Sequence, residues 1–281
     1  FIMDGIKSLA RSGTNKRDGV MGVLEFRPSK EWTSTIDVYT SKFDREDTSN
    51  QFEVNLGDYN GGFSPGLRYN STTINSSGVL TGGVASGLYP LVRGIYTKRE
   101  DKLNAFGWNN KWVSDGLTLT ADVNFSKAER DELSLENNLQ LARFSSTSAP
   151  LDTLTLNWAT GSFPTIVPGL NYSDPTKLFV DNTIYGSGYG KTPRVEDELK
   201  GFKLAAAFPM PSGMSSFFSD VDVGLNYADR TKKKRQPEGA INLKAGPTAI
   251  SSDLQYSPVS LGFSGTGMIP SWNVPGVVDK Y

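Results

Sequence analysis

The sequence lacks cysteine and histidine altogether in its 281 residues. Without cysteine there are no disulfides, thiolate metal ligands or thiol nucleophiles, and without histidine the usual general base and the commonest metal ligand are missing. These absences close most hydrolase and metalloenzyme mechanisms, so we predict no catalytic residue, no metal site and no cofactor. A cysteine-free composition also fits a protein that is exported through an oxidising periplasm.

Long apolar runs are missing as well. No stretch of about 18 apolar residues occurs, which excludes a transmembrane helix. Lysine and arginine number 29 against 30 aspartates and glutamates, and this balance argues against a nucleic-acid partner. The chain begins Phe1-Ile2-Met3-Asp4, with neither a starting methionine nor a signal peptide, so we expect a segment of a longer protein.

What the sequence does contain is strict alternation, most clearly at residues 117–127, which read LTLTADVNFSK. Side chains on a strand point alternately to its two faces, so one face of this segment is apolar and the other is polar. Two settings suit such a strand. One is an antiparallel sheet over a soluble core, and the other is a membrane barrel strand of about 9–11 residues with lipid on one side.

The lengths of the connections favour the barrel. Alternating segments pair across tight turns at Pro28-Ser29-Lys30, Ser114-Asp115-Gly116 and 209–213, and between the pairs lie long polar stretches. Outer-membrane barrels combine short periplasmic turns with long extracellular loops in this way. We therefore predict an all-β fold, part of a large antiparallel transmembrane β-barrel with about six strands visible. Its barrel hairpins are 20–43, 99–130 and 196–231, and its extracellular loops are 44–98, 131–195 and 232–281.

Within this barrel, alternation assigns the two faces. The lipid-facing side chains include Leu119, Val123, Leu204, Val223 and Leu225, and the lumen is lined by Asp122, Asn124, Asp222 and Asn226. Aromatic residues such as Phe26, Trp32, Trp108 and Trp112 lie near the tight turns, as expected of an interfacial girdle. Before the first alternating segment, we expect a turn at Asp4-Gly5 and one or two helical turns over residues 6–11.

Two groups of residues are candidates for binding. Aromatic side chains in the predicted loops offer apolar faces that suit sugar rings, although each one alone is as well explained by packing between loops. They are Tyr59, Phe63, Tyr69, Trp158, Tyr172, Tyr185 and Tyr189. The basic run Lys232, Lys233, Lys234 and Arg235 follows directly above the predicted membrane edge, where it would contact lipid phosphates or remain a solvated run.

Carboxylates cluster at Glu129, Asp131 and Glu132 and at 196–198, near the predicted outer ends of two strands. Clustered oxygens suit a divalent cation. A solvated rim whose charges are offset by Arg130 and Arg194 is the simpler interpretation, so we assign no metal there.

Several segments together resemble the barrel of TonB-dependent outer-membrane receptors, in the branch associated with oligosaccharide uptake. They read DGIKS at 4–8, KRDGVM at 16–21, RPS at 27–29, WTS at 32–34, NAFGWNN at 104–110 and DVGLNY at 222–227. The resemblance implies a barrel of about 22 strands with a plugged lumen, in the outer membrane of a Gram-negative cell. Its implied partners are outer-membrane lipid, TonB acting through a plug domain that is absent here, and an oligosaccharide or siderophore ligand.

Two other readings remain open. A passive porin has the same kind of barrel without a plug, and a soluble secreted β-protein would bind glycans through the same aromatic residues. In none of the three is the chain an enzyme.

Overall fold

The computed structural model describes residues 1–57, 66–141, 151–158, 163–180, 186–213, 217–244 and 247–281. Within these residues, no helix has the length and apolar character to cross a membrane. The one α-helix described, α1, is Val274–Lys280. The strands are β1 (Gly5–Phe26), β2 (Trp32–Asn55), β3 (Arg68–Ile74), β4 (Leu80–Leu88), β5 (Leu91–Ser114), β6 (Leu117–Gln140), β7 (Asp152–Asn157), β8 (Thr165–Pro168), β9 (Phe179–Val180), β10 (Gly188–Lys191), β11 (Arg194–Pro209), β12 (Asp220–Arg235), β13 (Glu238–Ile241), β14 (Thr248–Ala249), β15 (Gln255–Ser260) and β16 (Met268–Trp272).

The main sheet is antiparallel and curls into a half-barrel. Its long strands pair in the order β1, β2, β5, β6, β11 and β12. The upper end of β6, away from the tight turns, pairs with the short strands β9 and β10. The predicted all-β class and the antiparallel barrel segment are therefore confirmed.

The first two tight turns lie where the sequence predicts them, but the third connection is longer than the turn predicted at 209–213, because β11 ends at Pro209 and β12 begins only at Asp220. Between β5 and β6, Asp115 has φ 50° and Gly116 has φ 79°. Two central residues with positive φ make the type I′ turn that matches the twist of a two-residue hairpin. Asp-Gly supplies that geometry at low cost, because aspartate tolerates the left-handed region and glycine occupies it freely.

The strands are longer than alternation alone predicted. β2 continues to Asn55, β5 begins at Leu91 and β6 continues to Gln140, so thirty residues assigned to loops, at 44–55, 91–98 and 131–140, belong to the sheet. The turn and helical turns expected over residues 4–11 are wrong, because β1 begins at Gly5 and Ile6 pairs with Val54 of β2. Long-range pairing overrides the weak local preference of that segment.

The two faces of the lower half of the sheet, next to the tight turns, differ in exposure. On one face, large apolar side chains such as Leu24 and Trp108 are exposed, at 68% and 43%. On the other, the small polar side chains of Asp37, Asn109 and Asn124 are only half-exposed. Side chains crowd on the inside of a curved sheet, so the polar face is concave. Crowding is evident at Gly107, where an added Cβ would lie 2.3 Å from the Asp37 carboxylate.

The hydrophobic core lies at the upper end of the sheet. Phe52, Val92 and Leu139, which belong to the same face as the exposed apolar residues below, are buried there. Residues of the connecting segments cover them, including the sheet β3-β4-β7-β8 and the segment from β15 to α1. The apolar face is thus divided into an upper part sealed by protein and a lower part left open.

Candidate functional site

The open lower part of the apolar face forms a continuous band, which we call the apolar belt. The register of the ladders brings its side chains into rows across the long strands, so that Leu24, Ile36, Trp108, Val123, Phe202 and Tyr227 make one row. On β6 the belt takes nine residues, 117–125, which is about 27 Å at about 3.4 Å per residue. Membrane barrel strands need about 9–11 residues, so the belt has the residue length of a membrane-spanning strand.

Aromatic rings border the belt on the side of the tight turns. Trp32 pairs in register with Trp112, and the Phe26 and Trp32 rings meet edge to face at 6.4 Å. Phe217 and Phe218 beside the third turn are exposed. Amphipathic rings at the edge of an apolar band are typical of a membrane interface.

Charged rows border the belt on the side away from the tight turns, and each row holds as many cations as carboxylates. The row Asp18, Lys42, Lys102, Glu129, Glu196 and Lys233 holds three cations and three carboxylates, and so does the next row, Lys16, Asp44, Glu100, Asp131, Arg194 and Arg235. Lys42 and Lys102 each lie 2.7 Å from Glu100. Hydrogen bonds from Lys102 and Lys42 lower the pKa of Glu100 to about 2.

The basic run 232–235 is divided between the two faces. β12 continues through Arg235, so Lys233 and Arg235 lie on the apolar face while Lys232 and Lys234 lie on the polar face. Only half of the charge proposed for lipid phosphates therefore stands on the side that would meet lipid.

The described loop aromatics are mostly packed into the connecting segments. Tyr69 donates to the Leu56 carbonyl at 2.9 Å, and the Trp158 indole donates to the Leu80 carbonyl. Tyr189 is 38% exposed and stands on the polar face opposite Glu136. Tyr59, Phe63 and Tyr185 lie outside the described residues.

Tyr172 is the most deeply buried of these rings, at 3% exposure. Its hydroxyl donates to Asp152 Oδ2 at 2.9 Å, and its ring meets Phe52 edge to face at 4.9 Å. The other carboxylate oxygen of Asp152 accepts from the backbone N–H groups of Thr153, Gly169 and Leu170. Burial raises the pKa of Asp152 despite these bonds. Tyr172 thus stabilises the folded connecting segments and offers no ring face to a ligand here.

The polar face carries a feature that the sequence did not reveal, an open pocket of about 380 Å³ that we call the basic pocket. Its walls come from six strands and include Arg17, Tyr39, Phe43, Asp101, Arg130, Asp197 and Lys232. Phe43 lies between two guanidinium groups, with the Cζ atoms of Arg17 and Arg99 each 5.5 Å from its ring centroid. Only pairing across the sheet brings these residues together, although alternation at 232–235 already directs two cations to this face.

Carboxylates in the basic pocket are shared between cations. Arg130 Nε lies 2.7 Å from Asp101 Oδ1, and Arg99 contacts Oδ2 of the same group. Burial alone would raise the pKa of Asp101, but the hydrogen bonds from Arg99 and Arg130 outweigh it and hold the pKa below its usual value. Asp197 accepts two bonds from Arg230, at 2.8 and 2.7 Å, and lies 3.9 Å from Lys232.

The clustered carboxylates do not form a metal site in the described part of the chain, where no group of three acidic side chains is placed to hold an ion. Glu129 pairs with Lys127, Glu196 with Arg194 and Asp197 with Arg230. Arg194 offsets these acids as expected, through Asp131 and Glu196, whereas Arg130 pairs with Asp101 outside the cluster.

Comparisons with protein-family models, with curated proteins and with solved structures found no match to this chain.

Proposed function

We propose that this chain is the barrel segment of a TonB-dependent outer-membrane transporter that captures a scarce ligand, an oligosaccharide, for energised uptake. The apolar belt is the observation that carries the proposal. It gathers side chains from all six long strands of the described sheet onto one exposed face. Removing this apolar surface from water would stabilise the protein by about 25 cal/mol per Å². Lipid is the solvent that such a face requires.

The polar face supports a lumen that is filled by protein or ligand. Asp122, Asn124, Asn109 and Asp37 lie together on its concave side, and Asn109 Nδ2 donates to Asp122 Oδ2 at 3.2 Å. A hydrogen-bonding inner wall suits both a plug domain and a hydrated ligand. The TonB-dependent, oligosaccharide-specific part of the proposal rests on the sequence resemblance.

A matched pair of neighbouring substitutions tests the membrane assignment. Val123→Arg places a charge in the apolar belt, near the middle of the bilayer, and should reduce the folding free energy in liposomes by about 2–4 kcal/mol. Asn124→Arg, one residue on and on the opposite face, should reduce it much less. The measurement is urea-dependent folding of the full-length protein into phospholipid vesicles, followed by tryptophan fluorescence. Equal costs at the two positions would contradict the assignment of faces.

Energised transport is tested in cells. Growth of a deletion strain on a panel of oligosaccharides and iron sources should identify the ligand. Uptake of that ligand should stop when TonB is removed. Uptake that continues without TonB would indicate a passive porin, and recovery of the protein in the soluble secreted fraction would contradict a membrane location altogether.

A further inference from the structure

Charge is distributed unequally between the two faces of the sheet at the height of the basic pocket. On the polar face, the four rows that begin at Asn15, Arg17, Gly19 and Met21 carry seven cations and three carboxylates. The cations are Arg17, Arg45, Arg99, Arg130, Arg230, Lys232 and Lys234, and the carboxylates are Asp101, Glu132 and Asp197. The charged rows on the apolar face at the same height are neutral. The surplus positive charge therefore points away from lipid.

Two of these cations make no ion pair with a described carboxylate, although a hydrogen bond from Gln236 and the nearby charge of Lys234 both lower the pKa of Glu238. Neither Arg17 nor Lys234 lies within 4.0 Å of a described carboxylate, and Arg17 contacts the ring of Phe43 instead. The two residues belong to the same row, Arg17, Phe43, Asp101, Arg130, Val195 and Lys234. A guanidinium held over a ring keeps its planar N–H donors available, and these match a carboxylate in bidentate geometry.

The pocket also offers apolar surface beside the charge. Tyr39 and Phe43 line it together with Arg17 and Arg130, and about 380 Å³ lies within the usual size range of ligand sites. Aromatic rings next to hydrogen-bonding groups suit the apolar faces and polar rims of sugar rings. Tyr189 is exposed on the same face, three rows higher, or about 20 Å along the strands at about 3.4 Å per residue.

Resting on the proposed function, we propose that the basic pocket binds a carboxylate-bearing oligosaccharide, such as one built of uronic acids. The carboxylates of the ligand supply the counter-charge that Arg17 lacks and also contact Lys232, which lines the pocket 3.9 Å from Asp197. The rings of Tyr39 and Phe43 contact the sugar. A neutral oligosaccharide would bind to the aromatic surface alone and leave the surplus cations to water.

The test uses the full-length protein, purified in detergent from outer membranes, and calorimetric titration with uronate trimers. The panel contains the trimers of galacturonate, glucuronate, mannuronate and guluronate, each compared with a neutral trimer such as maltotriose. We expect at least one uronate trimer to bind tenfold or more tightly than its neutral counterpart, and this preference should shrink as salt rises from 50 to 500 mM.

The Arg17→Gln, Lys232→Gln double variant, which removes two cations that line the pocket, should weaken binding of that uronate about tenfold or more, with little change for neutral trimers. Lys16→Gln with Lys30→Gln removes the same net charge from exposed positions outside the pocket and should leave uronate binding unchanged. The melting temperature of each variant shows whether the fold is intact.

Three results would overturn the proposal. Uronates that bind no better than neutral trimers would exclude the charge preference. Equal weakening by the control variant would indicate a general effect of net charge. A lowered melting temperature with unchanged uronate affinity would indicate that the two cations hold a plug segment instead of ligand. The proposed membrane location has its own test, and it would be contradicted if the Val123→Arg and Asn124→Arg variants folded equally well in vesicles.

Discussion

At the scale of single residues, the contact between Gly94 and Trp272 joins the sheet to the connecting segments. Trp272 is fully buried against Gly94 of β5, and its indole donates to Asn137 Oδ1 at 3.2 Å. A Cβ added at Gly94 would lie 2.6 Å from the Trp272 ring and 2.9 Å from Val274. Only glycine allows the ring to lie this close to the backbone of the strand.

Gly94→Ala should therefore destabilise the protein by about 1–3 kcal/mol, because neither buried side chain can move away without disturbing the core. The measurement is chemical unfolding of the connecting segments, followed by tryptophan fluorescence. The Trp272→Phe variant, measured in parallel, shows which part of the signal comes from Trp272. Gly22→Ala is the matched control, since the nearest atom to its new Cβ would be Val38 Cγ2 at 3.4 Å. Similar costs at both glycines would show that Trp272 does not determine the effect.

At the scale of the strand, alternation explains most of the chemistry. β11 places Leu204 in the apolar belt and Lys203 on the polar face, and both side chains are exposed in the isolated chain. Because the sequence contains no cysteine, a single introduced thiol gives an unambiguous label.

In lipid vesicles, the Lys203→Cys variant should react with a water-soluble maleimide, and the Leu204→Cys variant should react at least tenfold more slowly. Both variants should react equally after unfolding in urea, which controls for intrinsic thiol reactivity. Equal labelling of the two folded variants would mean that the apolar belt faces water.

The basic run shows how one strand can carry two functions. A run of four cations looks uniform in the sequence, yet β12 sends Lys233 and Arg235 to one face and Lys232 and Lys234 to the other. The charged rows on the apolar face hold equal numbers of cations and carboxylates, whereas cations outnumber carboxylates in the rows on the polar face. The face on which each lysine lies therefore decides which charges surround it.

At the scale of the whole molecule, the described sheet is a half-barrel and not a closed pore. Six long strands lie in it, with β1 and β12 at its two edges, whereas membrane barrels close with eight strands or more. The 281-residue chain reconstituted alone in planar bilayers should therefore give no stepwise conductance. The full-length protein in the same bilayer is the comparison, and discrete channels from the segment alone would show that it closes by self-association.

Local sequence patterns were enough to predict the six alternating segments, the faces of their side chains and the first two tight turns. Alternation with period two and an Asp-Gly turn act over a few residues, so Leu119, Val123 and Leu225 could be assigned to the apolar face and Asp122 and Asn226 to the polar face before any pairing was known. These patterns could not predict the length of the strands beyond residue 43 or below residue 99, because polar strand ends resemble loops in composition.

Which residues of different strands meet follows from the pairing of the strands across the sheet. The row from Arg17 to Lys234 joins residues more than 200 positions apart through five successive registers, and the burial of Tyr172 depends on Phe52 and Asp152 from other segments. Register is a property of the whole ladder, fixed by the sum of many weak cross-strand contacts. Local sequence sets the face of each side chain, and pairing across the sheet sets its neighbours.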